Sequence, residues 1–215
     1  MNPYDERYFK NIEKGYFPGG FVRDKTIEFH IRRTLAPGAR ILEIGCGTGN
    51  LLRRLEDNFS VYGIDISSYA GAIANQRLKK GKVLVGNIEK EPLNFPDKFD
   101  GVVMINVLEH LLAPVKVLKK VNAVSKKHSK LFLQLPVISN FASKFLNKIF
   151  YGEDPTHIYV PTVKELRGWA MDAGYSCLYE ACGTFLILPL LGSILLNFFP
   201  SYFGVYEKYA DLTLP

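Results

Sequence analysis

Three glycines at alternate positions, Gly45, Gly47 and Gly49, follow an apolar run that contains the acid Glu43. The stretch 41–50 reads Ile-Leu-Glu-Ile-Gly-Cys-Gly-Thr-Gly-Asn. A new apolar helical pattern then begins at Leu51. Strand, tight glycine turn and helix in that order let backbone N–H groups and a helix N-terminus approach a ligand with no side chain in the way. A dinucleotide site usually reads Gly-x-Gly-x-x-Gly, with its third glycine packing the helix on the strand. The order here, Glu-x-Gly-x-Gly-x-Gly, departs from that fingerprint. Glu43 is read as a carboxylate that orients the turn or reaches a ligand ammonium, against the plainer reading of a charge at a helix start.

Further chemistry follows along the chain. Asp65 stands 20 residues beyond Gly45, with Ile66 after it. An acid there can accept from both hydroxyls of a ribose, and the spacing favours that over a helix-capping aspartate. Asn87 and Ile88 follow a third short apolar run, and Asn87 can bond an adenine edge. After a fourth come Ile105 and Asn106-Val107-Leu108-Glu109-His110-Leu111. A reaction at an oxygen or nitrogen can need a general base. The candidates are His110 and His157; Glu153, Asp154 and Tyr159 accompany His157 in Gly-Glu-Asp-Pro-Thr-His-Ile-Tyr-Val-Pro-Thr. Each has a bland counterpart. His110 at a helix start can be a cap, His157 can bond loop backbone, and for the other three the bland reading is preferred.

These residues need a frame. Spacing predicts helices over 21–35, 51–57, 67–80 with Ser67 as N-cap, 114–124, 140–150 and 162–173. It predicts strands over 39–44, 60–64, 82–85, 99–105 and 130–135. The run at 99–105 is continuously apolar, as in a strand buried on both faces. Five strands with helices between them imply a parallel, doubly wound sheet. Such sheets bind ligands beyond the carboxyl ends of their strands, where all the residues above fall. Thr162 and Glu165 form a capping box, Gly174 a helix stop. A sixth strand is expected over 175–181 and a seventh over 206–212.

The glycine motif, Asp65 and the string Val107-Leu108-Glu109-His110-Leu111 together resemble class I S-adenosylmethionine-dependent methyltransferases, in particular the small-molecule type of ubiquinone and menaquinone biosynthesis. The resemblance covers residues 39–136 well and the rest loosely. It implies a seven-stranded, mostly parallel α/β sheet of Rossmann-like kind with an antiparallel last strand. It also implies S-adenosylmethionine as cofactor, with the glycine turn around its methionine part. Glu43, Gly45, Cys46, Gly47, Gly49, Asp65, Ile66, Asn87, Ile88, Ile105 and Asn106 are then the cofactor-binding candidates. The family usually has Asp where Asn87 stands. Some relatives bind a metal through a second Glu three residues before the Glu-His pair. Asn106 occupies that position here, and two ligands from Glu109 and His110 are too few, so no metal is expected.

At 215 residues the chain is expected to form one methyltransferase domain. Residues 1–38 would be a helical cap, 39–136 the cofactor core, 137–161 an insertion near the acceptor site, and 162–215 a helix with edge strands. Hydrophobic content of 47% and charged content of 22% are ordinary for a globular protein. The net charge of +6 includes a cluster at Lys116, Lys119, Lys120, Lys126, Lys127 and Lys130, read as a solvated face. It lacks the interleaved aromatics a single-strand nucleic-acid binder would want. Cys46, Cys177 and Cys182 make no disulfide framework and no Cys-x-x-Cys pair, and residues 1–17 make no signal peptide, so a cytoplasmic protein is expected.

Residues 181–206 hold no charged side chain, yet Pro189, Gly192 and Pro200 interrupt them. That is no clean run of the roughly 20 apolar residues a membrane span needs. Three readings stay open: a buried connection or homodimer surface, which is preferred; a lid over an apolar acceptor; or an interfacial patch for lipid substrates, a peripheral membrane contact. With Phe141, Phe145 and Ile149 on one helix face, the segment points to a small-molecule acceptor of hydrophobic or lipid-linked kind. The rival readings are a methyltransferase-like binding module without turnover and, against the glycine spacing, a nicotinamide-dependent oxidoreductase.

Overall fold

A computed structural model of the chain describes residues 4–15, 20–138, 140–150, 154–182 and 201–212. Its strands are β1 (Arg40–Ile44), β2 (Ser60–Asp65), β3 (Lys82–Val85), β4 (Phe99–Ile105), β5 (Ser125–Pro136), β6 (Tyr175–Cys182) and β7 (Ser201–Lys208). Its helices are α1 (Glu6–Gly15), α2 (Phe21–Thr34), α3 (Asn50–Leu55), α4 (Ser68–Arg77), α5 (Pro114–Val124), α6 (Phe141–Phe150) and α7 (Val163–Asp172). The strands make one seven-stranded sheet in the order β3-β2-β1-β4-β5-β7-β6. β1 pairs in parallel with β2 and β2 with β3, whereas β7 runs antiparallel to both β5 and β6. This is the mixed class I sheet that the sequence pointed to.

The chain divides into two compact units, Met1–Val103 and Met104–Pro215. In the first, Ile41, Leu42 and Ile44 of β1 and Val102 and Val103 of β4 are almost wholly buried. Apolar residues in succession, rather than alternating, are what a strand covered on both faces requires. Ser67 caps α4 by accepting from the Ala70 amide at 3.3 Å. The connection 86–98 contains no helix, and Pro92 and Pro96 fit that, since each removes a donor and clashes with the preceding turn of a helix; α3, α4 and α5 separate the first five strands, at the three places the spacing had them.

In the second unit β5 begins at Ser125, five residues earlier than expected. Lys126, Lys127 and His128 are exposed there, and His128 has a φ of +58°. The cross-strand partner Glu207 takes both His128 and Lys130, which holds this polar stretch in the sheet. β7 also starts five residues early, at Ser201. It lies between β5 and β6, so Tyr202, Phe203, Val205 and Tyr206 are all buried. The described ends of the apolar segment, 181–182 and 201–206, are therefore sheet; residues 183–200 lie outside the described residues. Thr162 and Glu165 complete the capping box of α7, and Gly174 stops it at φ +79°. Lys208, buried to 1%, donates to the carbonyls of Asn122 and Ser125 at 2.8 and 2.9 Å and so closes the C-terminal end of α5. No helix among the described residues is long and apolar enough to cross a membrane.

Candidate functional site

The glycine turn uses φ angles of +70°, +52° and +78° at Gly45, Gly47 and Gly49, which only glycine adopts at low cost. Its amides are already committed. Gly45 and Cys46 donate to the Ile64 carbonyl at 2.8 and 3.4 Å, Gly49 donates to that of Cys46 at 3.0 Å, and Gly47 donates to Asp65 Oδ2 at 2.8 Å. Here the structure differs from the expectation of amides aimed at a ligand. The glycines present bare backbone, not a nest of N–H donors, and a pyrophosphate would find few partners. A Cβ on Gly47 would lie 3.4 Å from Phe9 of α1, and one on Gly49 would lie 3.0 Å from Ala74. Cys46 points inward against Gly63, and burial pushes its thiol well up, so it contributes backbone and no nucleophile.

Three acids stand around this turn. Glu43 is 4% exposed, and its Oε2 is buried with no hydrogen-bond partner among the described residues. Burial, then the neighbouring Asp24, raises its carboxyl well above the ordinary range; Asp65 adds to the rise, and Arg23 partly offsets it. Asp24, buried to 2% on α2 and paired with Arg23, had no mark in the sequence, because a polar residue inside a polar helical stretch reads as solvated. Asp65 accepts from Gly47 and, through Oδ1, from Ser67 at 2.8 Å. Burial raises its carboxyl, and those two amides pull it back. Ile66 beside it is 41% exposed. Asn87 makes a local turn, its Oδ1 accepting from Glu89 at 2.9 Å, and Ile88 next to it is buried.

The second unit carries the histidines. After β4, Asn106 takes a φ of +50°, and its Oδ1 is buried with no partner among the described residues. Such a conformation in a residue other than glycine is uncommon and concentrates at functional sites. A 3-10 turn, Leu108–His110, follows. The amides of Ile158 and Tyr159 both donate to the Glu109 carbonyl, at 2.8 and 3.1 Å, and pin the 154–159 loop to this turn. His110 Nδ1 lies 3.0 Å from the Thr156 carbonyl, which can only accept. Nδ1 therefore carries a proton and donates to it. The rings of His110 and His157 are 4.9 Å apart. Burial, then His110, lowers the His157 pKa, with Asp154 opposing.

Glu109 has no exposure, and neither carboxylate oxygen accepts a hydrogen bond among the described residues. Burial pushes its pKa up to about 8. Asp154 holds Thr156, accepting from its amide and hydroxyl at 2.8 and 2.6 Å, and Tyr159 donates to Glu165 at 2.7 Å. Those two roles are local, as the bland readings had them; Glu153 lies outside the described residues. Sequence separation hid the meeting of Glu109, His110 and His157, since 46 residues lie between the two histidines. A cavity of about 310 Å³ is walled by Leu111, Leu112, Pro114, Lys116, Ile158, Tyr159 and Trp169, among them the sequence neighbours of His110 and His157.

Residues 20–180, three quarters of the chain, match the family described as methyltransferase domain. The chain belongs to this methyltransferase family. Curated relatives of the methyltransferase include a tRNA U34 carboxymethyltransferase of Sulfurimonas denitrificans, 28% identical over 143 residues, 64% of this chain and 48% of that protein. A ubiquinone biosynthesis O-methyltransferase of Xanthomonas campestris pv. campestris is 27% identical over 112 residues, 50% of this chain and 47% of that protein. The methyltransferase thus spans about half the length of these relatives. In fold it is similar to the magnesium protoporphyrin IX methyltransferase of Synechocystis PCC 6803, solved with bound S-adenosylhomocysteine, at a TM-score of 0.70 and 17% identity, covering 95% of this chain and 96% of that one.

The cofactor of this methyltransferase is S-adenosylmethionine. The first unit fits it on physical grounds. The cofactor carries a sulfonium and an ammonium, and the methyltransferase sets the buried acids Glu43, Asp24 and Asp65 around a turn stripped of side chains. An unpartnered buried carboxylate oxygen is costly until a cation or a donor reaches it.

Proposed function

We propose that this methyltransferase moves the methyl group of S-adenosylmethionine to an oxygen or nitrogen of a small acceptor with an apolar body, hydrophobic or lipid-linked. The observation that carries the reading is the 310 Å³ cavity walled by the sequence neighbours of the two histidines. Leu111 and Leu112 follow His110, and Ile158 and Tyr159 follow His157, so apolar walls and bases belong to the same two segments. Ligand pockets are mostly apolar with a few placed polar groups.

In this reading Glu43 takes the cofactor ammonium, Asp65 the ribose hydroxyls, and Ile66, Asn87 and Ile88 the adenine. Gly45, Cys46, Gly47 and Gly49 give the methionine part a wall without side chains. When bound, the cofactor supplies a methyl on a sulfonium, whose thioether leaving group needs no acid. What remains for the protein is alignment, exclusion of water and one proton. His110 or His157 accepts the acceptor's proton.

An assay with methyl-labelled S-adenosylmethionine and a panel of phenolic, quinol and lipid acceptors tests this. A labelled product, with KM raised by Trp169→Ala and kcat lowered by His157→Gln, is the expected result. Turnover on none of them, with the cofactor bound, would count for the binding-module reading. A nucleic-acid acceptor is the second reading, supported by the tRNA-modifying relative. RNA binding that falls steeply with salt would favour it.

A further inference from the structure

Lys116, in the first turn of α5, is the one charged residue among the described residues that wall the 310 Å³ cavity. We propose that the cavity takes an anionic amphiphile, an acceptor whose apolar body carries a carboxylate or phosphate group, and that Lys116 selects it by pairing with that charge. The inference deepens the acceptor reading above and rests on it, since both use the same cavity.

The Lys116 ammonium has no carboxylate partner among the described residues. Asp154 and Glu165 stand on the segments that supply Ile158, Tyr159 and Trp169, and both are engaged locally. Asp154 accepts from the Thr156 amide at 2.8 Å, and Glu165 accepts from the Thr162 amide at 2.8 Å and the Tyr159 hydroxyl at 2.7 Å. Tyr159 therefore has its hydroxyl proton turned to Glu165, and the side chains of Leu111, Leu112, Pro114 and Ile158 carry no polar atom. A ligand with a charged end finds one complementary group in this wall, and that group is a cation.

The surrounding charge has the same sign. Residues 110–152 hold eight lysines and no acid, more positive charge than the +6 of the whole chain. Lys119 and Lys120 follow Lys116 at i+3 and i+4 and so share its side of α5, while Val117, Leu118 and Val121 are buried on the other. A positive stripe thus runs down α5 from the cavity, and a cleft lined by one sign of charge concentrates ligands of the opposite sign. Lys116 is exposed, so its pairing is weak while the anion stays in water. Once the apolar body fills the cavity, water leaves the pair and the attraction strengthens. A lysine ammonium is a point charge without the planar fork of arginine, so it receives carboxylate and phosphate alike.

The test uses the whole chain and its single tryptophan, Trp169, which lies in the cavity wall. Trp169 fluorescence is titrated with four eight-carbon probes that differ in their head group: octanoate, octyl phosphate, octanol and octylammonium. Saturable binding of the two anions, with Kd about five- to tenfold below that of octanol, and weakest binding of octylammonium are expected. The gap should narrow as salt is added. Lys116→Met should bring octanoate to within about twofold of octanol, and Lys116→Glu should reverse the order, octylammonium binding more tightly than octanoate. Lys119→Glu, on the same side of the helix but outside the cavity wall, should keep the order of the parent. A lower Kd for one of the two anions would name the head group. Octanol binding as tightly as octanoate, or an order that survives in Lys116→Glu, would overturn the proposal and leave the cavity as the acceptor's. No response of Trp169 to any of the four probes would overturn it together with the cavity reading.

Discussion

Exchanging the Asp65 carboxylate for an amide, Asp65→Asn, keeps the shape of the side chain and removes one acceptor. In the folded chain one oxygen takes the Gly47 amide and the other the Ser67 amide, both at 2.8 Å. An asparagine can serve one of them and turns its NH2 towards the other, donor against donor. The loss is one charge-assisted hydrogen bond and one stranded buried N–H, about 1.5–3 kcal/mol. For a chain of this size that lowers Tm by about 3–10 °C. The ribose hydroxyls lose the same charged acceptor, so cofactor affinity should fall by a further ten- to hundredfold. Thermal unfolding reads the first effect; calorimetric titration with S-adenosylhomocysteine reads the second. A lowered Tm with unchanged affinity would leave Asp65 as an anchor of the turn only and refute the ribose assignment. If neither quantity moved, the hydrogen-bond reasoning itself would be wrong.

Further perturbations reach other parts of the account. Gly49→Ala forces an L side chain to φ +78° and sets its Cβ 3.0 Å from that of Ala74; a loss of about 2 kcal/mol in urea unfolding, with weaker cofactor binding, is expected. Lys208→Met strands the carbonyls of Asn122 and Ser125 and should cost about 2–4 kcal/mol while leaving affinity for S-adenosylhomocysteine intact. Glu109→Gln tests burial through pH. The folded pKa of Glu109 is raised to about 8 from 4.5, so its contribution to stability is full below the unfolded value and is lost as pH rises through 8. The variant should therefore gain on the parent between pH 5 and 9 by on the order of 3–5 kcal/mol. A difference that does not change with pH would contradict the burial of that carboxylate.

Local spacing made the first half of the molecule legible. Each of β1 to β4 is an apolar run bounded by a glycine, a proline or an acid, and their ends fall within a residue of the pattern. The glycine turn, Asp65 and the Ser67 cap were readable because their partners lie within about 20 positions. Where tertiary contact decides, the pattern ran out. Ser-Lys-Lys-His-Ser reads as loop, yet Glu207 on β7 makes it the start of β5. β7 could not be located by alternation because an interior strand buries both faces, and its residues continue the apolar tract before it. Asp24 and the convergence of Glu109, His110 and His157 left no trace in spacing, for they meet only through α2 and through the main-chain bonds from Ile158 and Tyr159.

The central claim is that the glycine turn and its acids hold S-adenosylmethionine. Calorimetric titration of the purified chain with S-adenosylhomocysteine, beside NADH, tests it most directly. One molecule bound at micromolar affinity, about −8 kcal/mol, with no heat from NADH, is the predicted result; NADH binding without S-adenosylhomocysteine binding would contradict it.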